Sequence, residues 1–353
     1  MSDILFETVG RTGLVTLNRP KALNALTEPM MAALGEALDE WARDDRVERV
    51  AVRGEGPKAF CAGGDIRSVY ERRAGSIDFF ATEYRTNHRI ATFPKPYVAL
   101  IHGVCMGGGV GLSAHGPIRV ANETLTFAMP ETAIGLFPDV GATHLLSRME
   151  DEAGMWLGLT GHRIKLAEAV AAGYVTHPVE GSLDAVLDRV AHARALEPAL
   201  DEMTVETDPM PAETRKVMAK AFGAPTLAAV MERLADMSAD HEFAKVAFDE
   251  MALRSPTSMA VTFEQIRRAA DLDPAGVLEM DFAIVSRILD GHDLYEGIRA
   301  VLIDKDNAPK WDPAEIDKVE KSAVAAHFVT GPHGRLGLGE TKSAGGRGAV
   351  HAS

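Results

Sequence analysis

Three short stretches of the chain carry residue types that can act together chemically. Ile101-His102-Gly103-Val104-Cys105-Met106-Gly107-Gly108-Gly109-Val110-Gly111-Leu112 runs from a strand-like segment into a helical one. Glycine permits close backbone approach, and a helix start leaves N–H groups unpaired. Such a turn can hold an anion, or an oxyanion that forms during a reaction. The dinucleotide-binding spacing would need glycine at Leu112, and no Lys-Ser/Thr pair follows to make a phosphate-binding P-loop. Tight strand–helix packing would account for these glycines equally well. Ala59-Phe60-Cys61-Ala62-Gly63-Gly64-Asp65-Ile66 is a second turn of the same kind. There Asp65 reads as a helix N-cap, and Gly64 as the residue whose amide can point into a pocket. Amides at Gly64 and Gly108, from separate loops, would hold a carbonyl oxygen from two directions.

The third stretch, Met129-Pro130-Glu131-Thr132-Ala133-Ile134-Gly135-Leu136-Phe137-Pro138-Asp139-Val140-Gly141, sets two carboxyl groups among apolar residues. Apolar surroundings raise a carboxyl pKa and make the group a competent base or acid near neutrality. Glu131 has no evident capping role and is read as functional. Asp139 is read either as functional or as the N-cap of a helix over 140–148. Glu83 stands inside a predicted helix, where a lone glutamate is ordinarily solvated. His102 and His115 read as hydrogen-bonded structural residues. Ser113 lacks the G-x-S-x-G elbow of a hydrolase nucleophile. Cys61 and Cys105 offer neither a disulfide framework nor zinc spacing, and no metal site is read.

The elements that must position these groups alternate between strand and helix. Strand patterns at 5–9 and 14–18 flank a turn at 10–13. Thr27 looks like the N-cap of an amphipathic helix with Met30, Leu34, Ala37, Leu38 and Trp41 on one face. A buried strand over 47–53 leads into a loop over 57–65. A helix over 77–93 stops before Pro94, and short strands are predicted at 97–101 and 124–128, with a helix opening near Gly107. This order indicates an α/β architecture. Strand signals fade after about residue 182. Residues 1–181 are therefore taken as the core that carries the site, 182–330 as a mostly helical region, and 331–353 as a flexible tail.

The net charge of −14 argues against a nucleic-acid surface. An anionic ligand would need local amides and a few placed cations. No apolar run approaches the ~20 residues that cross a bilayer, so no membrane partner is expected. Residues 1–6 enter a strand pattern at once, leave no room for a leader, and suggest a cytoplasmic location.

Taken together, the two glycine turns and the Pro130-Glu131 pair resemble the crotonase (enoyl-CoA hydratase/isomerase) superfamily. The stretches 60–67, 106–111 and 128–140 look like those of its 3-hydroxyisobutyryl-CoA hydrolase branch. So do Arg254-Ser255-Pro256-Thr257-Ser258 and the stretch from Gly291-His292-Asp293 through Pro309-Lys310-Trp311. The likeness spans about residues 5–325. It implies a spiral of strand–strand–helix turns with a helical C-terminal extension. It also implies an oxyanion hole from the Gly64 and Gly108 amides, a catalytic Glu131, a second acid at Asp139, and substrate contact by Glu83. The substrate would be a small-molecule acyl-CoA in valine breakdown, with coenzyme A as part of the substrate, no separate cofactor, and a homo-oligomer possible. Hydratases of the superfamily look as if they carry a second glutamate at the place of Gly111, which favours thioester hydrolysis over hydration here. An enoyl-CoA hydratase or isomerase of the same fold is the alternative, and a non-catalytic or RNA-binding relative a distant third. One departure lies at Val140-Gly141-Ala142-Thr143-His144, where a glycine pair is expected after Asp-Val; it bears on the acyl pocket.

Overall fold

The computed structural model describes residues 2–339. Strands β1 (Ile4–Val9) and β2 (Thr12–Leu17) form an antiparallel hairpin, with a tighter turn than the 10–13 connection read from sequence. Strands β3 (Arg49–Gly54), β5 (Tyr97–Ile101), β7 (Ile118–Ala121) and β9 (His177–Pro178) extend this sheet in parallel, in the order β1-β2-β3-β5-β7-β9. A second sheet holds β4 (Ala59–Cys61), β6 (Val104–Met106) and β8 (Thr126–Ala128), also parallel. Each circuit of the chain gives one strand to the large sheet and the next to the small one. After β4 come helices α2 (Ile66–Arg72) and α3 (Ile77–Ala91), and after β6 comes α4 (Gly108–Ala114). This is the strand–strand–helix spiral that the resemblance implied.

The central strand β5 reads as an unbroken apolar run, Tyr97-Val98-Ala99-Leu100-Ile101, because both faces of the sheet are covered there. On one face Leu14, Ala51, Val98, Leu100 and Val120 pack under Val186, Leu187 and Val190 of the helix Leu183–His192. The other face belongs to the main core. There helix α1 (Glu28–Trp41) turns Met30, Met31, Leu34, Leu38 and Trp41 inward and packs on α3. Thr27 takes the N-cap position without a side-chain hydrogen bond. The three strands of the small sheet have only three residues each, too few for an alternating pattern to show. For that reason β4 hides in the predicted 57–65 loop.

The C-terminal half is helical. Pro256–Ala269 lies on the short helices Thr143–Leu146 and Ala153–Thr160, Pro274–Ile288 lies on α3, and Asp293–Ile298 lies on the turn Glu131–Ile134. The main core runs without a break from Ile4 to Leu336. Of the expected tail, residues 331–339 are tied down. Glu279 accepts from the Leu336 and Leu338 N–H groups at 3.0 and 2.7 Å; residues 340–353 lie outside the described residues.

Candidate active site

The two glycine turns meet at the ends of β4 and β6. Gly63 takes φ 110° and Gly107 φ 49°, conformations that L side chains rarely adopt. A methyl group placed on Gly107 would lie 3.4 Å from Gly63 Cα, so the loops touch. Gly107 precedes α4, and Gly108 is its first residue. Among the described residues, neither the Gly64 nor the Gly108 N–H is taken by a backbone acceptor. Asp65 caps α2, accepting from Ser68 N–H at 3.4 Å, and pairs with Arg19 at 3.2 Å. The sequence reading of it as a cap is right.

Three carboxyl groups converge on these loops. Glu131 opens a single turn of 3-10 helix after β8, and a methyl on Gly107 would come 3.1 Å from its Oε1. Glu83, on α3, would stand 2.6 Å from a methyl on Gly108. Asp139 accepts from the Tyr84 hydroxyl at 2.8 Å. All three are buried, at 2% exposure for Glu83, 5% for Glu131 and 4% for Asp139. Among the described residues, Glu83 Oε1 and Glu131 Oε2 have no hydrogen-bond partner. Buried polar atoms are rarely left so, and each exception asks for an explanation.

Loss of solvent is the main force on their protonation. It pushes Glu83 and Glu131 well above the usual carboxyl range, and the Asp139 charge adds to both. Burial raises Asp139 to about 7, with the Tyr84 hydrogen bond pulling the other way. The cluster therefore holds fewer than three charges at neutrality and shares its protons.

Sequence reasoning left Asp139 open between cap and function, and the cap reading fails. The helix there is only Thr143–Leu146, its N-cap is Ala142, and the Asp139 side chain turns to Tyr84 instead. Glu83 is not solvated as a lone helical glutamate would be. It follows Phe79 by four residues on α3, on the stripe that also buries Phe80, Tyr84 and Asn87. That placement was a usable signal. His115 stays neutral, burial lowering it to about 4, and its Nε2 donates to Val140 O at 2.7 Å. His102 likewise meets Gly56 O at 2.6 Å. Both histidines are structural, as read.

At Gly111 a side chain has no room. A methyl there would press on Asn87 Nδ2 and come 2.7 Å from Val140 Cβ. Sequence reasoning missed two further residues, Asp281 and Gln265. Both are fully buried in the helical half and bonded to the Asp139 loop. A cavity of about 480 Å³ lies beside the glycine turns, lined in part by Leu26, Asp65, Phe79 and Thr82. Leu26 and Phe79 also abut Gly108 and Gly64 respectively.

A family model described as enoyl-CoA hydratase/isomerase matches residues 12–328, and the chain belongs to that family. It is 42% identical over 344 residues to the 3-hydroxyisobutyryl-CoA hydrolase, mitochondrial, of Danio rerio, covering 93% of this chain and 89% of that protein. The Homo sapiens protein of the same name is 40% identical, with 92% and 88% covered. Among solved structures, a carnitinyl-CoA dehydratase from Mycobacterium thermoresistibile superposes with a TM-score of 0.87 at 38% identity, covering 93% of this chain and 97% of that one. An enoyl-CoA hydratase from Rhodobacter sphaeroides 2.4.1 gives 0.83 at 38% identity, with the same coverage. Overall likeness thus reaches proteins named for different reactions, and the choice between them falls to the site.

Proposed function

We propose that this protein hydrolyses an acyl-CoA thioester, and that the substrate is 3-hydroxyisobutyryl-CoA, an intermediate of valine breakdown. The observation that carries the reaction type is the filled space at Gly111. Adding water across a double bond calls for two carboxylates to hold and split that water, and the place for the second is occupied by Asn87 and Val140. Asp139, the residue before Val140, supplies a different acid. The hydrolase name shared by relatives at about 40% identity supports the acyl group.

In this reading the thioester oxygen lies between the Gly64 and Gly108 N–H groups, which stabilise its developing charge. One such donor contributes ~3 kcal/mol in the transition state. The Glu131 carboxylate attacks the carbonyl carbon, the carbon–sulfur bond breaks, and coenzyme A leaves as the thiol after protonation. Water then cleaves the resulting mixed anhydride and returns Glu131. In the alternative route Glu131 takes a proton from water, which attacks directly. Asp139 and Glu83 orient the substrate hydroxyl or the attacking water. The unpartnered Glu83 Oε1 and Glu131 Oε2 are acceptors that such groups would satisfy.

The test is free-thiol release over a panel of acyl-CoAs, with crotonyl-CoA hydration followed in parallel. Thiol release fastest on the 3-hydroxyisobutyryl ester is expected. Loss of the crotonyl double bond without thiol would establish the hydratase reading instead. Label found in the Glu131 carboxyl after repeated turnover in ¹⁸O-water would establish the anhydride route, with water attacking the Glu131 carbon, since direct attack of water on the thioester leaves that carboxyl unlabelled.

A further inference from the structure

The loop that presents Asp139 is held in an unfavourable shape by bonds from several directions. Val140 takes φ 56°, a left-handed conformation that is an outlier for a β-branched residue. Its carbonyl accepts from His115 Nε2 at 2.7 Å and from Asn87 Nδ2 at 3.5 Å. Pro138 O accepts from Gln265 Nε2 at 3.0 Å, and the Gly141 N–H donates to Asp281 Oδ2 at 2.8 Å. The circuit closes because Gln265 Nε2 also donates to Asp281 Oδ1 at 2.7 Å. Residues 138–141 are thus enclosed by a ring of hydrogen bonds anchored on two helices of the C-terminal half.

Asp281 is an odd choice for the inside of a helix pair. It follows Val277 by four residues and Leu278 by three, on a stripe with Phe282 and Val285. An apolar side chain would pack there without the cost of burying a carboxyl group. Among the described residues no Lys or Arg pairs with it, and its only partners are Gly141 and Gln265. The group is spent on the loop.

We propose that Asp281 is a positioning residue for the reaction. With Gln265, it fixes the backbone of residues 138–141 in the conformation that presents the Asp139 carboxyl to Tyr84 and the Glu131 site. The proposal rests on the reading of Asp139 as a participant in thioester hydrolysis. The titratable groups around Asp139 are Glu83 and Tyr84 from α3, Glu131 from the 3-10 turn, and Asp281 itself.

Asp281→Asn keeps the volume but sets an amide against donors, and Gln265→Leu opens the ring from the other side. Each is expected to lower kcat about 10- to 100-fold with KM within about threefold, while the melting temperature falls by only a few degrees. The Asp139→Asn/Asp281→Asn double variant is expected to be no slower than Asp139→Asn alone, since nothing remains to be positioned. Wild-type kcat in both single variants, or losses that multiply in the double, would overturn the proposal. A readout independent of the substrate is the carboxyl ¹³C titration of Asp139 by NMR. Its midpoint is expected to move in Asp281→Asn, and an unmoved midpoint counts against the proposal whatever the activity. Full turnover by Asp139→Asn would overturn the hydrolytic role of Asp139 and this proposal with it. A moved NMR midpoint would then identify the functional reading as the part that failed.

Discussion

A carboxylate that is poorly solvated is a stronger base and nucleophile than one in water, and burial puts Glu131 in that condition. Glu131→Gln keeps the shape and removes the reactive oxygen. Thiol release should fall by about 10²- to 10⁴-fold, with CoA-ester binding measured by calorimetry retained; a variant that still turns over takes Glu131 out of the reaction. Asp139 makes a different prediction, about stability. Its carboxyl moves from 3.8 to about 7 on folding, so between those values the folded chain binds a proton that the unfolded chain lacks. Stability contributed by that proton is present at low pH and is lost as pH rises through about 7. Asp139→Asn has no such titration. It should melt a few degrees above the wild type at pH 8 and converge with it near pH 4, and a gap that fails to widen with pH would contradict this. Glu131 and Asp139 were legible in the sequence because each follows a proline inside an apolar stretch. Asp281 and Gln265 were not, because the loop backbone atoms that they hold lie more than a hundred residues away.

At the scale of elements, helix α4 decides which chemistry the site can host. Its Gly111 is closed over by Asn87 of α3 and by Val140. Gly111→Ala should destabilise the fold by about 1–3 kcal/mol through overpacking, read as a shift in denaturant midpoint. A neutral result would mean that the space is open to a larger side chain. The long elements could be read from the sequence because amphipathic stripes such as Met30-Leu34-Leu38-Trp41 repeat over several turns. The helix over 77–93 ends at Ala91, close to its expected stop before Pro94. Of the small sheet, β8 was read at 124–128, while β4 and β6 escaped, since three residues carry no period and their place is fixed only by pairing with distant neighbours. Yet β4 and β6 are the strands that carry the two glycine turns to one point. The motif was visible, while the device that joins its halves was not.

Over the whole molecule, the helical half shares one core with the spiral. Phe222, Leu234, Met251, Met259, Leu278 and Phe282 lie in the same buried cluster as Leu34, Phe60 and Tyr84. Each large apolar side chain contributes roughly 1.5–3 kcal/mol on burial, against a net stability of about 5–15 kcal/mol for a folded domain. Residues 1–181 expressed alone should therefore show no cooperative unfolding peak in calorimetry; a two-state melt would make that half self-sufficient. The ring around residues 138–141 also has a place in time. A ribosome delivers about 5–20 residues per second, so Asp281 follows Asp139 by on the order of ten seconds. Until Gln265 and Asp281 emerge, the turn at Val140 has the bonds from His115 and Asn87 but lacks those at Pro138 and Gly141, and the glycine loops stand beside an acid not yet fully aimed. A nascent chain that already contains Glu131 and Asp139 would stay inert until the later helices close over it.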